Sequence, residues 1–158
     1  MNLGFSYVGF MFILLLMIPN LIWMKHQPID YEKYVINENK ILLIFERAGE
    51  VFVTTVALIF DDFNLRPFSN WSIWLIMAII VMIMYEIYWI RYFKSARTMA
   101  DFYCSLWHIP LAGATLPVIA FFLLGIYGQN LFMMIAVIIL GIGHIGIHFN
   151  HQKEYKKL

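Results

Sequence analysis

Five long apolar runs, separated by short polar or turn-rich stretches, set the pattern of this chain. They cover roughly residues 3–24, 41–60, 71–92, 106–127 and 130–150. Each is long enough to cross about 30 Å of hydrocarbon as a helix. No period-two alternation competes with that reading. The pattern predicts an all-α membrane protein, one domain over residues 1–158 built as a bundle of five transmembrane helices.

The second run is the weakest of the five, because it carries Glu46, Arg47 and Glu50. A charge at the centre of a span costs about 2.5–3.5 kcal/mol, while each large apolar residue returns about 0.3–0.6 kcal/mol. The distribution of basic residues argues for counting it. With five spans, Lys25, Lys33, Lys40, Arg91, Lys94, Arg97, Lys153, Lys156 and Lys157 share one side, and Arg66 stands alone on the other. Omitting the second run leaves a split of six against five. The excess of Lys and Arg on cytoplasmic loops favours the first arrangement. It puts the N-terminus outside, the C-terminus in the cytoplasm and the chain in the cell membrane, with the lipid bilayer as its partner. Trp71 and Trp74 then lie at the outer interface, and Trp23, Trp89 and Trp107 at the inner one.

Composition agrees with that expectation. The 158 residues are 62% hydrophobic and 13% charged, against about 45–50% and 25% in an ordinary soluble domain. The first run lacks a basic leader and a small-residue cleavage site, so it reads as a retained helix. A single cysteine, Cys104, allows no intramolecular disulfide. Without a phosphate loop, a dinucleotide fingerprint or a basic patch interleaved with aromatics, nucleic acid has no support as a partner.

Placed in this topology, the strongly polar side chains all fall toward the cytoplasmic ends of their helices. These are Glu46, Arg47 and Glu50 on the second, Glu86 and Arg91 on the third, His108 on the fourth, and His144, His148 and His151 on the fifth. The three histidines are spaced four and three apart, so they share one helix face. Pro110 and Pro117 are expected to kink the fourth helix near the cluster. Gly143 and Gly146 lie on the far side of the fifth helix, where they admit a close neighbour.

Three readings follow. In the first, Glu46, Arg47, Glu50, Glu86, His108, His144 and His148 line a cytoplasm-facing intramembrane pocket. That pocket binds or moves a small solute, a lipid-like ligand or protons, since Glu and His can titrate near neutrality when their surroundings shift them. In the second, His144 and His148, with His151 as a third ligand, hold Zn, Fe or Mn in a membrane-embedded enzyme acting on a lipid-soluble substrate. In the third, the polar cluster only fixes helix packing in a structural or accessory subunit.

Overall fold

The computed structural model describes residues 1–29, 31–35 and 38–157. Among these, seven α-helices follow one another: α1 Tyr7–Trp23, α2 Glu32–Val35, α3 Lys40–Ile59, α4 Ser72–Lys94, α5 Met99–Phe102, α6 Ala112–Gly128 and α7 Leu131–Tyr155. A 3₁₀ turn at Asp61–Phe63 links α3 to the loop before α4. The 25–40 connection carries α2; Asp30, Ile36 and Asn37 of that connection lie outside the described residues.

Helix starts are set by side chains that replace the missing intrahelical acceptors. Ser6 Oγ accepts from Gly9 N at 2.9 Å, and Asn39 Oδ1 accepts from Ile41 N at 2.9 Å. Asn130 Oδ1 accepts from Met133 N at 3.0 Å. Thr98 and Asp101 form a reciprocal capping box at the start of α5.

The five long helices pack in a cyclic order, α1 against α3, α3 against α7, α7 against α6, α6 against α4, and α4 back against α1. The closest approach is between α3 and α7. A Cβ added at Gly143 would run into the backbone of Glu46, and one added at Gly49 into the backbone of Leu140. Glycine is needed at both places for the helices to touch. The interior is strongly aromatic: Phe63, Tyr85, Tyr88, Tyr92 and Phe121 are almost wholly enclosed. The outer faces of α4 and α7 stay apolar, with Ile76, Ile80, Ile83, Ile135 and Ile138 exposed.

The expected bundle of five membrane spans is corrected here. Among the described residues two helices, α4 and α7, are long and apolar enough to cross a membrane. Helices α1 and α6 have 17 residues each, and the 20-residue α3 carries Glu46, Arg47 and Glu50. The inside–outside topology, the bilayer as partner and the cell-membrane location all rested on five spans, and they lose their basis with that count.

The fourth run also starts differently. Residues 106–111 do not belong to the helix. Leu106 and Ile109 exchange backbone hydrogen bonds of 2.8 and 3.3 Å around Trp107 and His108. Both tip residues have positive φ, 46° and 68°, the geometry of a type I′ turn. Leu111 is left-handed as well, at 50°, and α6 begins only after it. Pro110, which lacks an N–H and disfavours α geometry in the residue before it, suits this break.

Candidate functional site

One cavity of about 300 Å³ opens between α1, α3, α4, α6 and α7, under the segment that carries α2 and beside α5. Its lining divides by chemistry. Trp23, Tyr31, Phe102 and Tyr103 contribute aromatic rings, with Tyr88 and Trp89 from α4. Glu38, Glu46 and Glu50 contribute carboxylates, and His144 and His148 imidazoles. Leu111, Gly113 and Ala114 at the start of α6 line it as well.

Phe102 is the hub of the aromatic part. It stacks on Trp23 with ring centroids 5.6 Å apart, and it meets Tyr31 edge-on at 5.9 Å. Trp23 and Tyr31 are themselves edge-to-face at 5.0 Å. Rings this close form a continuous wall, favoured by their offset and edge-on quadrupoles. Local hydrogen bonds fix the wall from behind. Tyr88 Oη donates to Phe102 O at 2.6 Å, and Arg91 donates to the carbonyls of Ser105 at 3.0 Å and Cys104 at 3.1 Å. The helix α5 and the turn after it are thus tied to α4 through backbone carbonyls.

The polar part is a chain of pairs. His144 Nδ1 donates to Glu46 Oε1 at 2.6 Å, joining α7 to α3. Arg47 Nη1 donates to Glu50 Oε2 at 3.0 Å on the cavity rim, where Arg47 is 70% exposed. His148 Nδ1 lies 3.4 Å from Tyr103 Oη. His151 Nε2 sits 3.2 Å from Glu38 Oε1, without the alignment of a hydrogen bond, and the ring is enclosed by Tyr31 and Tyr34. Burial raises the Glu38 carboxyl above its usual range; Glu46 nearby adds to the rise and Arg47 opposes it. Burial likewise raises the Tyr31 and Tyr103 phenols, so both stay neutral.

Of the residues singled out in the sequence, the cavity gathers Glu46, Arg47, Glu50, His144 and His148. It does not gather the others. Glu86 lies outside it, with one carboxylate oxygen buried and unpartnered. His108 is exposed at the tip of the Leu106–Ile109 turn, and His151 lines a separate cleft with Tyr34, Asn39 and Lys153.

The relay through seven polar groups is therefore corrected to an internal network of hydrogen bonds and ion pairs, in which Glu46 pairs with His144, Arg47 with Glu50 and His148 with Tyr103. The metal reading is corrected on geometry. The rings of His144 and His148 are 4.7 Å apart and those of His148 and His151 6.2 Å, yet the three turn to Glu46, Tyr103 and Glu38 in turn. Among the described residues, no group of three or more His, Cys, Asp or Glu is placed to hold a metal ion.

The sequence reading missed Glu38, Trp23, Tyr31, Phe102 and Tyr103. One signal was available: Asp-Phe-Tyr at 101–103 and Asp-Tyr-Glu at 30–32 place aromatics in polar connections, where burial does not demand them. A second polar knot, at the other end of the molecule, was also missed. Asp62 is buried and accepts from Asn2 N at 3.0 Å and Asn130 Nδ2 at 3.1 Å. Beside it, Asn64 Oδ1 accepts from Tyr7 N at 2.9 Å, and Arg66 donates to Tyr127 O.

No family model, curated protein or solved structure matches this chain. The cavity's own chemistry is the ground for a functional reading.

Proposed function

We propose that the protein is a non-catalytic binding module for a small organic cation, held in the aromatic and acidic cavity. The observation that carries this is the joint presence, in one cavity, of the Trp23–Tyr31–Phe102 wall and of Glu38, Glu46 and Glu50. Ring faces attract cations by about 0.5–2 kcal/mol each, most strongly once water is excluded. The carboxylates supply negative charge that a neutral or anionic ligand would not use. Arg47 is the one guanidinium at the cavity, and it is turned toward Glu50 on the rim. The volume, about 300 Å³, lies at the small end of the ~300–1,000 Å³ typical of ligand sites and suits a compact molecule.

Charge is the property to test. Isothermal titration of the purified full chain with choline, and with its uncharged carbon isostere 3,3-dimethylbutan-1-ol, separates attraction to a cation from simple apolar filling. The cation is expected to bind at least tenfold more tightly, and Glu46→Gln to reduce that preference. Equal binding of the two compounds, or binding of neither, would overturn the reading.

A further inference from the structure

We infer that the cavity prefers a cation bearing N–H donors, a primary ammonium first, over a quaternary one; this rests on the cation-binding reading above and names the ligand class within it. The inference comes from the acceptors that the carboxylates leave open. Glu46 Oε1 accepts from His144 and Glu50 Oε2 from Arg47, while among the described residues no donor is bonded to the second oxygen of either. Glu38 Oε1 faces His151 without the alignment of a hydrogen bond, and no donor among the described residues is bonded to Glu38. An ionised carboxylate offers about four lone-pair sites, so these groups are far from saturated. Two of them are also poorly placed for water, since the Glu46 and Glu38 side chains are 13% and 16% exposed. They face the same cavity, one from α3 and one from the connection before it.

Enclosed acceptors left without donors are costly. A primary ammonium meets them with three N–H donors on one charge, and hydrogen bonds between two ionised groups are the strong ones. It is heavily hydrated and gives up water on entry, but the open carboxylate oxygens take the place of that water. A trimethylammonium group brings the same charge without an N–H. Its methyl groups stand between the charge and the oxygens, so the carboxylates stay farther off and unbonded.

The aromatic side of the cavity does not reverse this order. Trp23 and Phe102 stack on each other with planes 18° apart, and Phe102 is buried. Tyr31 meets them at near right angles, 88° and 82°. These rings spend much of their faces on one another and do not form an open cage of faces around a quaternary group. What they do is keep water from the carboxylates, which strengthens a hydrogen bond made there.

The experiment is a methylation series on the full chain: ethanolamine, its N-methyl and N,N-dimethyl derivatives, and choline, by isothermal titration at neutral pH and one ionic strength. Affinity is expected to fall as N–H donors are replaced by methyls, by roughly tenfold or more from ethanolamine to choline. Glu38→Leu, which keeps side-chain volume and removes both oxygens, should weaken ethanolamine more than choline and so shrink their ratio. If choline binds as tightly as ethanolamine or more tightly, the preference is overturned while the cation site stands. A ratio unchanged in a folded Glu38→Leu overturns the role given to Glu38. If no member of the series binds, the cation site itself falls. Loss of folding in Glu38→Leu leaves the series on the unaltered chain to decide.

Discussion

His144 Nδ1 and Glu46 Oε1 meet at 2.6 Å where α7 and α3 come closest, and the residue before the histidine, Gly143, rests on the backbone of that same glutamate. The close approach and the hydrogen bond depend on each other. Without the glycine the helices part, and without the pair two half-buried polar groups are left facing each other. Gly143→Ala is expected to destabilise the fold by about 1–3 kcal/mol, the usual cost of forcing extra volume into a packed contact. Gly146→Ala is the control. Its Cβ would come 3.0 Å from the Leu42 side chain, which can rotate away. Thermal unfolding of the two variants should show a clear loss for the first and a small one for the second. Equal losses would mean that the α3–α7 contact does not depend on backbone proximity.

The aromatic wall offers a second test. Phe102 touches Trp23, Tyr31, Tyr92, Tyr103 and His148 through ring contacts of 5.0 to 5.9 Å. Phe102→Ala removes the hub and is expected to cost about 3–5 kcal/mol, the range for deleting a buried ring. Phe102→Leu keeps most of the volume and should cost less, while still lowering affinity for choline. Chemical denaturation and titration of the two variants separate packing from binding. A fully stable Phe102→Ala would show that the wall is not part of the core.

How much of this could be read in the chain itself divides along physical lines. Four of the five apolar runs became helices within a few residues of their expected bounds, because long apolar runs with few breakers leave the backbone no better option. The fourth started late because the Trp107–His108 turn depends on left-handed backbone at non-glycine residues, which no propensity announces. The α3–α7 pair was legible in part: Gly143 on one face and histidines on another are visible from spacing alone. The partners of those histidines were not. Tyr103 and Glu38 lie 45 and 113 positions away from His148 and His151, and only the closed ring of helices brings them together. The step from five apolar runs to five spans failed for a further reason. Apolar composition is shared by buried and bilayer-facing helices, and the charges of α3 and the length of α1 and α6 fall short of a span.

At the opposite end of the molecule, Asp62 satisfies the backbone N–H of Asn2 and the amide of Asn130, which in turn caps α7. Asp62→Ala strands both donors. A buried donor left without an acceptor costs about 1–3 kcal/mol, so the variant is expected to lose at least that much stability. Asn130→Asp is informative beside it. A second carboxylate can still cap α7 but cannot donate to Asp62, and it places like charges in contact. Urea unfolding should rank Asn130→Asp below the unaltered chain even though the cap survives. An unchanged midpoint would show that the Asp62–Asn130 contact carries no weight.

Acid should act locally on α5. Hydrogen bonds from the Thr98 backbone and hydroxyl hold the Asp101 carboxyl below the usual aspartate value. A lowered value in the folded state means that the carboxylate's contribution is present above the unfolded value and is lost as pH falls through the folded one. Thr98→Ala removes the cap and is expected to cost about 1 kcal/mol at neutral pH. The gap between the variant and the unaltered chain should narrow as pH falls through the carboxyl's lowered value, where the carboxylate stops accepting. A gap that persists unchanged in acid would separate the cap from the charge.

Glu38 runs the other way, and it separates stability from binding. Burial raises its carboxyl, with help from Glu46, while Arg47 pulls it down; His151 at 3.2 Å is the group facing it from α7. A raised acid favours the protonated form in the fold, so its contribution to stability is full below the unfolded value and falls as pH rises through the folded one. Affinity for a cation moves in the opposite sense, because only the ionised carboxylate attracts it. Between mildly acidic and neutral pH, choline affinity is therefore expected to rise while the thermal midpoint gives up a small part of its acid-side gain. Glu38→Gln should remove both slopes together, leaving affinity low and flat across the range. Titrations and melting curves at matched pH values test this pairing. An affinity that falls with rising pH in the unaltered chain, or a slope that survives in Glu38→Gln, would assign the titration to a different group.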